Sequence, residues 1–331
     1  MRPPRKRIAS ARSGGLGASL QTKILQNLAI AKSGEAQLRL HKAAALLEHA
    51  VENVKQGHPE YSRVEIAGDF RTGCELISDL AIFAQGKAPA EPGASSLKLT
   101  VSDKKHYGAT LKLVASASEE NIHETLGLPF IEPELREGRD EIKLAAKYKL
   151  PELVRDGDLR GFLHSHTDAS DGTETLVTMA EATQKRGFEY YGVADHSQLA
   201  HYAGGLSLDE IGAQHREADR LNRRYGSSFR ILKGIESDIL ADGSLDYPDA
   251  ILEEFDFVVA SVHSRFKMTR KEQTDRHLKA IGNPHTTIIG HMTGRQLQRR
   301  PGYEIDIDKV LKACKERGRR RDQRASVAAR S

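Results

Sequence analysis

A chain of 331 residues, 38% hydrophobic and 29% charged, is long enough for two domains, and its mean hydropathy of −0.52 describes a protein of water. No apolar run approaches the roughly 20 residues that span a bilayer, and no apolar core follows the basic start Met1-Arg-Pro-Pro-Arg-Lys-Arg-Ile8, so a cytoplasmic location is expected, with no membrane and no protein partner. Cys74 and Cys314 are isolated, which excludes a disulfide framework or zinc finger, and the net charge of +4 is concentrated in Arg2–Arg12 and Arg317–Arg324.

Residues 1–13 read as a basic, disordered arm. Ser13-Gly-Gly-Leu-Gly17-Ala-Ser-Leu-Gln-Thr-Lys23 then turns into a helix. Gly15 and Gly17 allow a tight turn whose backbone N–H groups can hold a phosphate, with Lys23 close behind. A plain helix start after a glycine linker fits the same residues. The first reading resembles the second half of a helix-hairpin-helix, which grips DNA backbone without reading sequence. An amphipathic helix is predicted from Gln37 to Lys55, its apolar positions being Leu38, Leu40, Ala43, Leu46, Leu47 and Val51, and Gly57-His-Pro59 ends it. Residues 14–57 are thus a helical segment.

Residues 58–130 read as a small α+β unit. Arg63-Val-Glu-Ile-Ala-Gly-Asp-Phe-Arg-Thr-Gly-Cys-Glu-Leu-Ile-Ser-Asp-Leu-Ala-Ile-Phe83 is strand, glycine turn, polar loop and strand. Gly86–Pro92 is a loop before a further strand, Ser96–Val101. Residues 131–157 form a linker, charged and helix-prone between Glu134 and Leu150.

A different grammar begins at Asp158. The run Asp158-Leu-Arg-Gly-Phe-Leu-His-Ser-His-Thr-Asp-Ala-Ser-Asp171-Gly172 is a strand that stops at a turn. Side chains two apart on a strand share a face, so His164 and His166 converge, and the Asp-Gly turn can bring Asp171 over them. Two imidazoles and a carboxylate are ligands for a divalent transition metal. Four more β-rich runs each end on a residue of that type: Tyr190-Tyr-Gly-Val-Ala-Asp-His196, Phe229-Arg-Ile-Leu-Lys-Gly-Ile-Glu236, Phe255-Asp-Phe-Val-Val-Ala-Ser-Val-His263 and Thr286-Thr-Ile-Ile-Gly-His291. Helices over Thr175–Arg186 and Leu208–Tyr225, each closed by a glycine, fall between them. Strand, ligand, helix, repeated, is the pattern of a β/α barrel with its site at the strand ends. Lys233 and Asp238 are expected to point away from Glu236, and His201, His215, His277 and His285 to be exposed polar residues. Arg295, after the turn Thr293-Gly294, suits a bidentate phosphate clamp; a surface arginine beside Arg299 and Arg300 is the alternative.

The series His164-x-His166, Asp171, Ala-Asp-His196-Ser, Gly-Ile-Glu236, Ser-Val-His263-Ser and Gly-His291-x-Thr-Gly-Arg295 resembles the PHP (polymerase and histidinol phosphatase) domain. The resemblance covers residues 158–318 and implies a distorted seven-stranded barrel with up to three metal ions that hydrolyses phosphoesters. It implies metal ligation by His164, His166, Asp171, His196, Glu236, His263 and His291, with Asp171, His196 and Arg295 in catalysis. Residues 58–130 resemble the palm of family-X DNA polymerases, and the whole order resembles the bacterial members that carry a PHP domain. Two departures matter. Asp69 stands where that family has a triphosphate-binding serine, and Ala81 replaces the second carboxylate of its Asp-x-Asp, leaving Asp79. With no carboxylate in Ser96–Val101, one aspartate is too few for nucleotidyl transfer. After Gly318 the resemblance implies two more strands and an Asp-x-His pair. Residues 319–331 instead form a basic tail without β-period, as a frameshift or premature stop would leave.

The expectation is therefore an α/β protein: a helical segment, a degenerate palm, and a (β/α)7-type barrel lacking its last strands. Its expected function is hydrolysis of DNA 3′ ends or small phosphate esters, with Mn, Zn or Fe as cofactor and fewer ions than the family's three. Weak, sequence-independent DNA contact is expected through Gly15, Gly17 and Lys23. A non-catalytic DNA-binding protein, or an unstable product, is the alternative.

Overall fold

The computed structural model describes residues 37–61, 63–85, 96–102, 106–114, 123–124 and 127–321. Gly15, Gly17, Lys23 and the tail beyond Arg321 lie outside the described residues. The chain divides into two compact units between Glu152 and Leu153, with Gln298–Arg300 counted in the first. Among the described residues no helix is long and apolar enough to cross a membrane.

In the first unit, β1 (Leu38–Arg39) leads into α1 (Leu40–Gly57). Ala43, Leu47, Ala50 and Val54 are buried, a 4-3-4 spacing that lays one stripe along the helix. That stripe packs on Val64, Ile77, Leu80, Ile82 and Ala84. Next come β2 (Arg63–Ala67), the short α2 (Gly68–Arg71), β3 (Leu76–Ile77) and β4 (Ala81–Gln85), then β5 (Ser96–Ser102) and β6 (His106–Val114). The sheet runs β2-β4-β6-β5, with β4 and β6 parallel and the other pairs antiparallel. β1 pairs separately with β3. Asp69 anchors the turn between β3 and β4, its Oδ2 accepting the Ser78 and Asp79 N–H groups at 2.8 and 3.1 Å. Asp79, expected on the second strand, precedes it by two residues. The linker forms only short helical pieces, 3-10 turns at Pro133–Leu135 and Asp156–Asp158 and α3 (Glu141–Ala145). Only Ala145 of α3 is buried, and a short helix with no apolar stripe to bury does not propagate.

The second unit is built on a six-stranded parallel sheet in strict chain order: β7 (Gly161–Ser165), β8 (Tyr190–His196), β9 (Arg230–Asp238), β10 (Phe257–Ser261), β11 (Thr286–Ile289) and β12 (Arg320–Arg321). Sequential order is what a barrel needs; a doubly wound sheet would reverse part-way. The connecting helices are α4 (Leu176–Lys185), α5 (Leu208–Tyr225), α6 (Asp249–Leu252), α7 (Arg270–Gly282) and α8 (Ile307–Glu316). Their starts are written locally. Thr175 and Asp306 cap α4 and α8, while Ser207/Glu210 and Thr269/Glu272 form capping boxes on α5 and α7. Ile235, Val258, Ala260, Ile289, Ile281 and Val310 belong to the main core.

Two expectations fail here. The tail, read as lacking any strand, opens with β12, where Arg320 and Arg321 pair with Ile288 and Ile289. An open strand edge offers N–H and C=O groups to any extended backbone, whatever its side chains. His215 and His277, read as exposed, are 9% and 1% exposed; His201 is exposed and His285 partly so. His215 meets Phe255 edge-on, 4.8 Å between ring centroids. The Nδ1–H of His277 donates to the Gln273 carbonyl at 2.7 Å, which leaves Nε2 to accept from the Tyr303 hydroxyl at 3.2 Å.

Burial lowers the His277 pKa to about 4, against the opposing hydrogen bond to Gln273. A histidine depressed in the folded state binds its proton more readily when unfolded. Its stabilising contribution is therefore present above the unfolded pKa of about 6.5 and is lost as pH falls towards about 4. Between pH 7 and pH 5 this one site should remove about 2 kcal/mol. Urea titrations of the parent and His277→Gln across that range should show a shallower loss in the variant.

Candidate metal centre

The site gathers at the C-terminal ends of β7 to β11. In-register parallel pairing sets His196 of β8 opposite Glu236 of β9. Glu236 is 1% exposed, and its two oxygens are divided among five imidazoles. Oε1 lies 2.8 Å from His291 Nε2, 3.0 Å from His164 Nε2 and 3.4 Å from His263 Nε2. Oε2 lies 3.2 Å from His196 Nδ1 and 3.5 Å from His166 Nε2. Asp171 stands at the rim, its Oδ1 3.3 Å from His166 Nδ1 and 3.6 Å from His196 Nε2. All seven residues expected as ligands therefore meet in one cluster.

His164 and His166 arrive by another route than simple alternation. The pairing of β7 with β8 shifts register between Phe162 and Ser165, and His164 sits there with φ of 63°. A non-glycine residue in the left-handed region is strained, and such strain concentrates at functional positions. The bulge aims His164 at Glu236, while His166 lies just beyond the strand end. Gly290 leaves room opposite: a Cβ there would stand 2.1 Å from Ser261 Oγ and 3.4 Å from His164 Cε1.

Asp238 corrects the sequence reading. Two residues beyond Glu236 on the same strand, it shares that face and hydrogen-bonds His263 Nδ1, which turns the His263 Nε2 towards Glu236. Lys233 does face away, its Nζ 3.3 Å from Asp219 Oδ1. Arg295, expected as a phosphate clamp, is exposed on the turn after His291, where it lines a groove with Arg270 and Tyr303.

Two buried residues that the strand-end pattern did not suggest hold the loops. Asp195 is fully buried. It accepts from Thr167 N and Thr167 Oγ1, both at 2.7 Å, Ser170 Oγ at 2.5 Å and Gln214 Nε2 at 2.7 Å. This fixes the loop between His166 and Asp171. Arg276 of α7 is 2% exposed. Its guanidinium donates to the carbonyls of Leu240 at 2.8 Å, Ser264 at 3.1 Å and Ile239, tying down the chain after β9 and β10.

The electrostatics follow from crowding one carboxylate with imidazoles. Burial alone would raise the Glu236 pKa; the charge of His164 and hydrogen bonds from His164, His263 and His291 outweigh it and hold the carboxyl well below its usual range. Burial lowers His196. Burial would lower His263 too, but its hydrogen bonds to Asp238 and Glu236 prevail and raise it to about 9. The donor set suits divalent cations. Three overlapping triplets, His164/His166/Glu236, His166/Asp171/His196 and His196/Glu236/His263, each bring ligand atoms within 4.8 Å of one another. His196 Nδ1 makes no hydrogen bond, as expected of a nitrogen whose lone pair is kept for a metal.

The PHP domain family matches residues 163–318. The chain carries a PHP domain. The thumb of DNA polymerase beta matches residues 93–137, the stretch read from sequence as the end of a palm and the start of a linker. The DNA polymerase/3′-5′ exonuclease PolX of Bacillus subtilis (strain 168) is 42% identical over 198 residues, 60% of this chain and 34% of the relative. A "Probable phosphatase" of Acetivibrio thermocellus is 32% identical over 160 residues, 47% of this chain and 61% of the relative. The chain thus spans about a third of the first relative and three-fifths of the second. Among solved structures, the histidinol phosphate phosphatase of Lactococcus lactis, complexed with zinc, L-histidinol and phosphate, aligns at 19% identity. That alignment has a TM-score of 0.35 and covers 49% of this chain and 72% of that one.

The PHP domain's loop support is testable without an activity. Asp195→Ala leaves its buried donors without their acceptor, and the unfolding free energy should fall by about 2–4 kcal/mol. Urea denaturation would show it; an unchanged midpoint would mean that the loop is held by other contacts.

Proposed function

We propose that the PHP domain is a metal-dependent phosphoesterase acting on DNA 3′ ends. The observation that carries this reading is the convergence of five imidazoles on the buried Glu236 carboxylate, with Asp171 open at the rim. His164, His166 and Glu236 would hold one ion. His196 and His263, with Glu236, would hold part of another, and Asp171 would reach the ion that His166 and His196 face. Mixed nitrogen and oxygen donors suit Mn, Zn or Fe. When bound, such ions supply Lewis acidity and lower the pKa of water. The chain's own part is positional. Asp238 orients the His263 ring, as outer partners of metal-binding histidines do. Asp171, 20% exposed on its side chain against 1% for Glu236, is the carboxylate that solvent reaches, so it is placed to accept a proton from attacking water.

DNA is preferred to a small phosphate ester because the similarity to the polymerase/exonuclease extends over 60% of this chain, against 47% for the phosphatase. Gly15, Gly17 and Lys23 would add weak, sequence-independent contact with its backbone. The thumb match at residues 93–137 favours a second reading, DNA binding without chemistry.

The first unit, in this reading, does not polymerise. The Asp69 carboxylate is occupied by the Ser78 and Asp79 N–H groups, and Ala81 is fully buried at the start of β4. Nucleotide incorporation should stay at background on a gapped template; extension dependent on Asp79 would overturn this.

Protein loaded separately with Mn, Zn or Fe should shorten a 5′-labelled oligonucleotide from its 3′ end. Chelation should abolish the reaction and re-addition of metal restore it. Glu236→Gln should weaken metal binding by about a hundredfold, read by calorimetry alongside the rate. Salt-dependent DNA retention with no hydrolysis under any metal would favour the second reading. Hydrolysis equal in parent and Glu236→Gln would sink the first.

A further inference from the structure

The turn that follows His291 also builds one wall of a groove that the metal centre does not use. Gly294 N donates to the His291 carbonyl at 2.8 Å, so Thr293, Gly294 and Arg295 are fixed to a predicted ligand. The opposite wall is Gly302–Ile307. The space between measures about 540 Å³ and is lined by Arg270, Arg295, Tyr303, Glu304, Ile305 and Ile307, with Thr293 and Gly302. That volume lies in the range of small-molecule sites.

The lining has two kinds of chemistry. Tyr303 is an aromatic platform whose position is heavily determined. Its hydroxyl meets His277 Nε2 at 3.2 Å, its N–H donates to the Thr293 carbonyl at 3.0 Å, and its ring lies 6.1 Å from that of Phe266 at an interplanar angle of 25°. Gly294, at φ of 57°, permits this approach: a Cβ there would lie 2.6 Å from Tyr303 Cε1. Ile305 and Ile307 supply apolar surface beside the ring. Arg270 and Arg295 are the cations. Arg270 also faces Asp306 at 3.6 Å with its side chain 62% exposed, an exposed pair weak enough for a phosphate to compete with. Glu304 in the same lining and Asp306 beside Arg270 balance the two arginines, which suits a single phosphodiester better than a polyphosphate. A rigid ring beside apolar surface and arginines is how single-stranded nucleic acid is held without sequence readout: bases stack and backbone phosphates meet cations.

We propose that this groove binds a nucleotide flanking the scissile phosphate of single-stranded DNA, its base on Tyr303 and a backbone phosphate between Arg270 and Arg295. The assignment rests on the phosphoesterase reading and gives Arg295 a part in substrate binding away from the metal ligands.

The test measures binding and turnover separately on the full chain. A fluorescein-labelled dT tetranucleotide is titrated into metal-free parent protein, Arg270→Ala/Arg295→Ala and Tyr303→Leu, at several salt concentrations. The arginine variant should bind about tenfold more weakly, with a salt slope smaller by about one to two. Tyr303→Leu should weaken binding similarly, with its salt slope kept. In metal-loaded protein, the preference for oligonucleotide over p-nitrophenyl phosphate in kcat/KM should fall about tenfold in both variants. Parent-like affinity, salt slope and preference would overturn the groove assignment. So would displacement of the probe by millimolar inorganic phosphate alone, which would mark a bare anion site. Both arginines are exposed, so if Tyr303→Leu fails to fold the arginine pair decides. If no metal yields hydrolysis the phosphoesterase reading fails, and the binding titrations still decide on the groove.

Discussion

The second unit is organised by an electrostatic constraint: one carboxylate, taken almost wholly out of water, must be compensated where it lies. An isolated ion in that position would be prohibitively costly. Glu236 is compensated by five imidazoles brought from four other strand ends. No single helix or hairpin could deliver five side chains to one point. A parallel sheet in sequential order does so, because each strand ends on the same side and each neighbour is displaced by one sheet spacing. The fold and the charge balance are therefore conditions on each other.

Around this centre the polar groups fall into shells with separate tasks. Asp238 faces a ring nitrogen of His263, while Asp195 faces only backbone, hydroxyl and amide donors. The two carboxylates lie on neighbouring strands and are both buried, yet one orients an imidazole and the other shapes a loop. The residue type alone does not separate these roles; the partners do.

Much of this was legible in the chain. The endings His196, Glu236, His263 and His291 stand out because a ligand-type residue closes an apolar run each time, and the caps at Thr175, Ser207 and Thr269 are local signals that survive folding. Asp238 is legible too, since period-two alternation along one strand puts it on the face of Glu236. His164 was not legible in its mechanism, because a bulge depends on pairing with a partner strand. His277 escaped for a similar reason. A histidine on a helix looks polar until Tyr303, 26 residues away, covers it. The pairing of Arg320 and Arg321 depends on backbone groups, to which a reading of side-chain periodicity is blind.

The clamp made by Arg276 has a further consequence. Its oxygen acceptors at Ile239, Leu240 and Ser264 are main-chain carbonyls, which do not ionise, and the guanidinium does not give up its proton in proteins. In the centre, by contrast, burial lowers the His196 pKa, while at His263 burial is outweighed by Asp238 and Glu236, which raise it, so the charge of the centre depends on pH. The frame that carries Asp238 and the approach to His263 is thus fastened by contacts indifferent to acidity, while the cluster inside it changes charge. Acidification therefore acts on the rings of the centre and on buried His277 while leaving these carbonyl contacts in place.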